Sequence, residues 1–151
     1  MNFERYDYKA NKSFLDYEFY SEGPKGVIKK IVRFTLVTVP SFSYYNLGFG
    51  DWNEEQGKID DFVISNNLDA ERVLATVAAT VMDFTANYPD ATVYAEGSCP
   101  ARTRRYQMGI NKYWTEVNIF FDVYGLVENQ GFIPFKQGCN YKAFVVKRKM
   151  Q

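Results

Sequence analysis

The hydrophobic pattern of this chain changes period near residue 66, and that change limits the folds that the chain can adopt. Residues 14–20 and 27–39 alternate apolar and polar side chains, as half-buried strands do. After residue 66, apolar side chains recur at helical spacing from Val73 to Tyr88. Strands grouped before a helix, rather than alternating with helices, are typical of an α+β protein.

We therefore expect a single α+β domain over residues 1–151, a length that suits one full hydrophobic core. Its sheet is expected to be mostly antiparallel, with about six to seven strands, one long helix and two C-terminal helices packed on it. The expected strands are residues 14–20, 27–39, 44–49, 59–65, 91–96, 132–135 and 141–147. The expected helices are residues 69–88, 100–108 and 111–124, and the β-branched and aromatic residues of 117–123 leave a strand open there. The first two strands form a hairpin in this prediction, with Asp16 and Glu18 able to pair with Lys29 or Arg33.

Composition removes several classes of chemistry. The chain has no histidine, so it lacks the usual general base at neutral pH and the commonest transition-metal ligand. Cys99 and Cys139 are 40 residues apart and form no C-x-x-C pair, so we set aside a zinc site and expect no metal. We also expect no cofactor. Eighteen basic and eighteen acidic side chains give a formal net charge of zero, so any attraction to nucleic acid must be local.

Two further features point to a cytoplasmic protein. The first twelve residues carry charges and no apolar core, unlike a signal peptide. The longest mostly apolar run, residues 73–84, is too short to span a bilayer. We therefore expect reduced cysteines and no membrane contact.

Residues 92–110 concentrate the chemistry of the chain. A short β-rich run there is followed by a Gly97–Ser98 turn, by Pro100 at an expected helix start and by three arginines. A strand, a tight turn and a helix N-terminus direct backbone N–H groups and the positive end of the helix dipole at one point. The sequence therefore predicts an anion site, for a phosphate-bearing ligand or nucleic acid.

Helical spacing assigns the arginines to two faces. Arg102 and Arg105 share a face with Tyr106, whereas Arg104 points elsewhere. The predicted ligand-binding residues are accordingly Ser98, Arg102, Arg105 and Tyr106. The alternative is a solvated helix face whose arginines pair with acids such as Asp60 or Asp61.

Other residues of interest have simpler interpretations. Ser98 is also a helix-cap candidate, and Cys99 has no histidine to act as its base. Residues 51–57 alternate oxygen-bearing side chains as a calcium loop does, but Phe62 stands where the closing acid belongs, so a hairpin loop is expected. The basic segment at residues 142–149 is expected to be a last strand with a solvated end.

Two resemblances add to these predictions. The segments at residues 23–34, 44–51, 59–67, 71–81 and 101–110 resemble a family of small bacterial proteins of unknown function. In addition, the element order and the ARTRRYQMGI helix at 101–110 resemble the core of the N-acetyltransferase superfamily. That second resemblance implies that Tyr106 protonates a departing thiolate, and it places the acetyl-CoA loop at residues 65–70, which contain no glycine.

Three functional hypotheses remain open. The first is a small cytoplasmic binding module with an anion site at the arginine cluster. The second is a protein–protein interaction module or homo-oligomer that uses exposed aromatic residues, such as a toxin–antitoxin or defence component. The third is a degenerate acyltransferase.

Overall fold

A computed structural model of the chain describes residues 4–60 and 66–150. Those residues form nine strands and three helices, in the order β1 Lys9–Ala10, β2 Asp16–Gly23, β3 Gly26–Val39, β4 Phe42–Asn53, β5 Lys58–Asp60, α1 Ala70–Asn87, β6 Thr92–Ala95, α2 Pro100–Lys112, α3 Trp114–Phe120, β7 Phe121–Val127, β8 Gly131–Pro134 and β9 Phe144–Arg148.

The chain divides into two compact units. The first unit comprises Asn2–Thr35 and Gly48–Asn87, and the second comprises Met1, Leu36–Leu47 and Tyr88–Gln151. Strands β3 and β4 contribute residues to both. In the first unit the strand order is β1-β2-β3-β4, with β5 paired to β4, and in the second it is β4-β6-β9-β7-β8.

The expected α+β class and mostly antiparallel sheet are confirmed. Strands β4 and β6 are parallel, and the connection between them contains α1, as a parallel pair requires. Two parts of the expected architecture are wrong. The described residues form nine strands rather than six to seven, because the two-residue β1 carries too little pattern to be detected and β7 was expected mainly as the end of a helix. Helices α2 and α3 are not C-terminal, since three strands follow them.

The expected hairpin of the first two strands is confirmed by its register. Tyr17 opposes Val32, and both side chains are fully buried on the core face. On the other face, the Arg33 guanidinium donates to both carboxylate oxygens of Asp16 at 2.9 and 3.2 Å. Lys29 Nζ lies 3.1 Å from Glu18 Oε2. The alternation of apolar and charged residues therefore sets which face is buried.

Helix α1 agrees with the expected 69–88 to within a residue at each end. Its buried stripe includes Val73, Val77 and Phe84, at the spacing that the sequence shows. Phe84 stacks on Phe34 of β3, with ring centroids 4.1 Å apart and planes 3° from parallel. This pair forms the centre of the first unit's core, where both rings are at most 1% exposed.

Two expected elements, one in each unit, differ from the structure. The helix expected over 111–124 ends at Phe120, and Phe121–Val127 is strand β7, where buried and exposed residues alternate. β-branched and aromatic side chains fit this two-residue period better than a helix. Where a loop was expected at 51–58, β4 continues to Asn53 and a tight hairpin connects it to β5. Of the strand expected at 59–65, Ile59 and Asp60 belong to β5, and residues 61–65 lie outside the described part.

Within residues 4–60 and 66–150, none of the helices combines the length and apolar character needed to cross a membrane.

The stacked phenylalanines generate a stability prediction. Phe84→Ala should lower the free energy of unfolding by about 3–5 kcal/mol, because it removes a fully buried ring and leaves a cavity. The same deletion at Phe42, which is 62% exposed, should cost less than about 1 kcal/mol. Urea unfolding at a constant m-value measures both. Equal losses in the two variants would show that the stacked pair is not a core element.

Candidate functional site

An open groove of about 770 Å³ lies in the second unit. Three segments form its walls: the chain after β6, the first two turns of α2, and the stretch before β9. The lining residues are Glu96, Gly97, Ser98, Cys99, Pro100, Ala101, Thr103, Arg104, Gln107, Asn140, Tyr141 and Lys142.

The first wall depends on a glycine that lies against a helix. A Cβ built on Gly97 would lie 2.4 Å from the Thr103 backbone nitrogen and 2.6 Å from the Arg102 Cβ, distances too short for real atoms. The Gly97 N–H donates to the Thr103 hydroxyl at 3.0 Å. Only glycine lets the chain leaving β6 come this close to α2.

At the start of α2, backbone N–H groups donate to a carbonyl of the same segment. Cys99 is the N-cap, in extended conformation, and its carbonyl accepts from the N–H groups of Arg102 and Thr103, both at 3.1 Å. Pro100 has no N–H to offer. The anion site predicted from the sequence relied on the unpaired N–H groups of this first turn, and that of Arg102 bonds to the N-cap carbonyl instead. Any anion recognition here therefore depends mainly on side chains.

The second wall is held to α2 by one buried amide. Gln107, 7% exposed, accepts from the Tyr141 N–H at 3.1 Å through its Oε1. Its Nε2 donates to the Cys139 carbonyl. Pattern reasoning missed both Gln107 and Tyr141; the available signal was the i, i+4 spacing of the polar Thr103 and Gln107, which places them on one helix face.

Tyr141 contributes a packed aromatic ring to the groove wall, and its phenol does not act as a proton donor in chemistry there. A Cβ on Gly125 would lie 2.2 Å from an atom of this ring, so the glycine makes room for it. The hydroxyl accepts from the Lys136 N–H at 2.9 Å. Burial raises the pKa of the Tyr141 phenol, so this group stays neutral and structural at physiological pH.

The charged side chains that line the groove differ in how strongly they interact with other residues. No carboxylate in residues 4–60 and 66–150 lies within ion-pair distance of the exposed Arg104. Lys142 Nζ lies 3.2 Å from Glu128, but both side chains are more than half exposed, so the pair is weak and exchangeable. Glu96 accepts a 2.5 Å hydrogen bond from Tyr94, and burial together with this carboxylate raises the pKa of the Tyr94 phenol.

The structure separates the predicted ligand-binding residues. Ser98 lines the groove, where it precedes the N-cap Cys99 rather than capping the helix itself. The described lining residues include Arg104 and leave out Arg102, Arg105 and Tyr106. Arg105 is exposed, whereas Arg102 and Tyr106 are half-buried and have interaction partners of their own.

Helix phase explains this separation. With Cys99 as N-cap, positions 100, 101, 103, 104 and 107 of α2 face the groove. Positions 102, 105 and 106 lie on another side of the helix. Helical spacing puts Arg102 and Arg104 on different sides of α2, but the sequence does not say which side faces the concave surface. Asp61, one acid proposed as an arginine partner, lies outside the described residues.

The remaining site candidates have structural roles. Cys99 and Cys139 are both free thiols. At the 51–57 segment, Asn53 Oδ1 accepts from the Gln56 N–H at 3.0 Å and closes the hairpin turn, as expected. In the part of the chain that the structure describes, no three acidic or cysteine side chains group as metal ligands do.

These observations define an α+β protein with a mostly antiparallel sheet and a groove beside the N-terminal turns of its second helix. The chain belongs to the Family of unknown function (DUF6934), whose model matches residues 2–149. No curated protein and no solved structure matches it. The expected membership of a family of unknown function is confirmed, and the comparisons give no support to the acetyltransferase resemblance.

The loop before α1, where that resemblance places acetyl-CoA, is occupied by an internal network. The Asp69 carboxylate accepts from the Ser21 hydroxyl at 2.5 Å and from the Tyr6 hydroxyl at 2.7 Å. Asn67, 3% exposed, accepts from the Lys25 N–H at 2.8 Å and donates to Ser21 at 3.1 Å. A pyrophosphate here would meet a carboxylate and side chains that are already bonded.

The two glycines of the α2 region form a matched pair for a test. Gly97→Ala should lower the free energy of unfolding by about 1–3 kcal/mol, because its methyl would meet backbone atoms of α2. Gly109→Ala, with open space around its Cβ, should raise it by about 0.5–1 kcal/mol, since alanine favours the helix. Urea unfolding of both variants measures the difference. A Gly97→Ala protein as stable as Gly109→Ala would refute the close approach.

Proposed function

We propose that this protein is a binding module that takes a phosphate-bearing ligand in the groove of its second unit. Arg104 and Lys142 supply the positive charge in this proposal, and Ser98 and Asn140 supply polar contacts. The observation that carries the proposal is Arg104, an exposed guanidinium on a concave surface with no carboxylate partner in the described residues.

The distribution of charge supports an anionic ligand. Although the whole chain is neutral, the second unit contains nine lysine and arginine residues and five aspartate and glutamate residues, a net charge of +4. The first unit contains nine basic and thirteen acidic residues, a net charge of −4. The groove therefore lies in the half of the molecule whose field attracts anions.

The side-chain chemistry also suits phosphate. A guanidinium donates two parallel hydrogen bonds to an oxyanion, and an ammonium adds a point charge with three donors. Lys142 can release the exposed Glu128 when a doubly charged ligand arrives, because an exposed ion pair contributes at most about 1 kcal/mol.

Two neighbouring arginines of α2 provide the test. Arg104→Ala should weaken binding of inorganic pyrophosphate about 10- to 150-fold, the loss of one charge-assisted contact of about 1.5–3 kcal/mol. Arg105→Ala removes the same charge from a side chain outside the groove lining and should change affinity less than about threefold. Isothermal titration calorimetry at low and moderate salt measures both.

The two variants also separate the structure-based assignment from the sequence-based one. A loss in Arg105→Ala alone would place the ligand on the face that carries Arg102 and Tyr106. Equal small losses in both variants would show a response to overall charge, and no heat with the wild-type protein would reject a phosphate site.

A further inference from the structure

Four aromatic rings form a continuous strip on the sheet of the second unit. Phe42 contacts Tyr44, Tyr44 contacts Tyr94, and Tyr94 contacts Phe132, with ring centroids 6.0, 5.7 and 6.3 Å apart. We call these four residues the aromatic strip. It extends from β4 through β6 to β8.

The register places these rings on one face. Tyr94 is aligned with Asn46 of β4 and with Val145 of β9, and Val145 is aligned with Tyr124 of β7. Tyr124 is in turn aligned with Pro134 of β8. Side chains two residues apart on a strand point the same way, so Phe42, Tyr44 and Phe132 share this face with Tyr94. On the opposite face, Val93 is 1% exposed, which identifies that side as the core.

The two end rings of the strip, Phe42 and Phe132, are exposed, whereas Tyr44 and Tyr94 between them are half-buried. Phe42 is 62% exposed and Phe132 44%, and Tyr124 on the same face is 38% exposed. Burying a phenylalanine ring in the core is favourable by about 1.5–3 kcal/mol, so two exposed rings that half-buried tyrosines connect on one face indicate an interaction surface.

The strip and the groove adjoin within the second unit. The Tyr94 hydroxyl donates a hydrogen bond to the Glu96 carboxylate, and Glu96 is one of the residues that line the groove. A ligand on the strip would therefore extend toward the side of the unit that carries Arg104 and Lys142. Both surfaces belong to the unit with a net charge of +4.

We propose that the aromatic strip is a base-stacking platform for single-stranded nucleic acid, whose phosphates continue into the groove beside Arg104 and Lys142. This inference rests on the proposed function and names its ligand class. Exposed aromatic rings on an open sheet stack unpaired bases, while nearby cations hold the backbone.

Charge favours this occupant over a second copy of the chain. Two copies that paired through the strip would bring two +4 units together, and like charges oppose such an association. A nucleic acid instead supplies the negative charge that the unit lacks and flat rings for its exposed side chains.

The experiment uses a fluorescein-labelled uridine 12-mer and fluorescence anisotropy with the full chain. The double variant Phe42→Ala/Phe132→Ala should bind at least about fivefold more weakly, and up to about 150-fold for each stacked base that is lost. Phe42→Tyr/Phe132→Tyr, which keeps both rings, should restore wild-type affinity. Ile119→Ala, a 64% exposed residue of α3 in the same unit, is the matched control and should change nothing.

An abasic oligomer of the same length separates stacking from charge. It keeps the phosphates without the bases, so it should bind the wild-type protein more weakly than the uridine 12-mer. It should also be indifferent to Phe42→Ala/Phe132→Ala.

The failures of the two proposals are distinguishable. If the phenylalanine double variant binds the uridine 12-mer like Ile119→Ala, or if the abasic oligomer binds equally well, stacking is overturned even when pyrophosphate binding still depends on Arg104. Light scattering offers a further test. If the wild-type protein is a dimer that dissociates in the double variant, and neither protein binds the uridine 12-mer, the stacking proposal is overturned in favour of self-association. Loss of pyrophosphate binding by the wild-type protein is the separate failure of the groove.

Discussion

Buried polar side chains must find partners inside the protein, and this requirement organises both units. Lys30 lies on the core face of β3 with 7% exposure, directly opposite Phe19. A buried charge without a partner costs about 3–5 kcal/mol, so the ammonium needs the Asp51 carboxylate, 2.5 Å away. The core of the first unit therefore holds β4 in place through an ion pair as well as through its rings.

The same requirement explains why the groove keeps its shape. Gln107 bonds through both ends of its amide to the segment before β9, and Thr103 bonds to the turn after β6. These buried side chains have structural roles, since they hold the segment before β9 and the turn after β6 against α2. Arg104 is adjacent to Thr103 in sequence but projects from the same helix into the open. A rigid frame with an exposed charge at its edge suits the proposed recognition of an anion, because little order has to be created on binding.

Local pattern predicted elements well wherever one physical term dominated. The alternation of Tyr17 and Phe19 with acidic residues predicted the β2–β3 hairpin and its ion pairs, and the spacing of Val73 to Phe84 predicted α1. Strand β7 was ambiguous because its apolar residues fit both the helical repeat of 3.6 residues and the two-residue repeat of a strand. At the site, helical spacing separated Arg104 from Arg102 and Arg105 but could not say which side is concave. The orientation of α2 depends on two contacts. Gln107 bonds to Cys139, which is distant in sequence, and Gly97 allows a close approach of two backbone segments that no sequence pattern reveals.

Charge is the property that whole-chain counting conceals most. The neutral total sums two units of +4 and −4 whose residues are interleaved along the chain, because Leu36–Leu47 belongs with the C-terminal half and Gly48–Asn87 with the N-terminal residues. Only the fold reveals that partition. Electrostatic attraction falls off within about 10 Å at moderate salt, so a ligand responds to the unit that it touches rather than to the total. The neutral composition, which alone argues against a nucleic-acid partner, is therefore compatible with one at the aromatic strip and the groove.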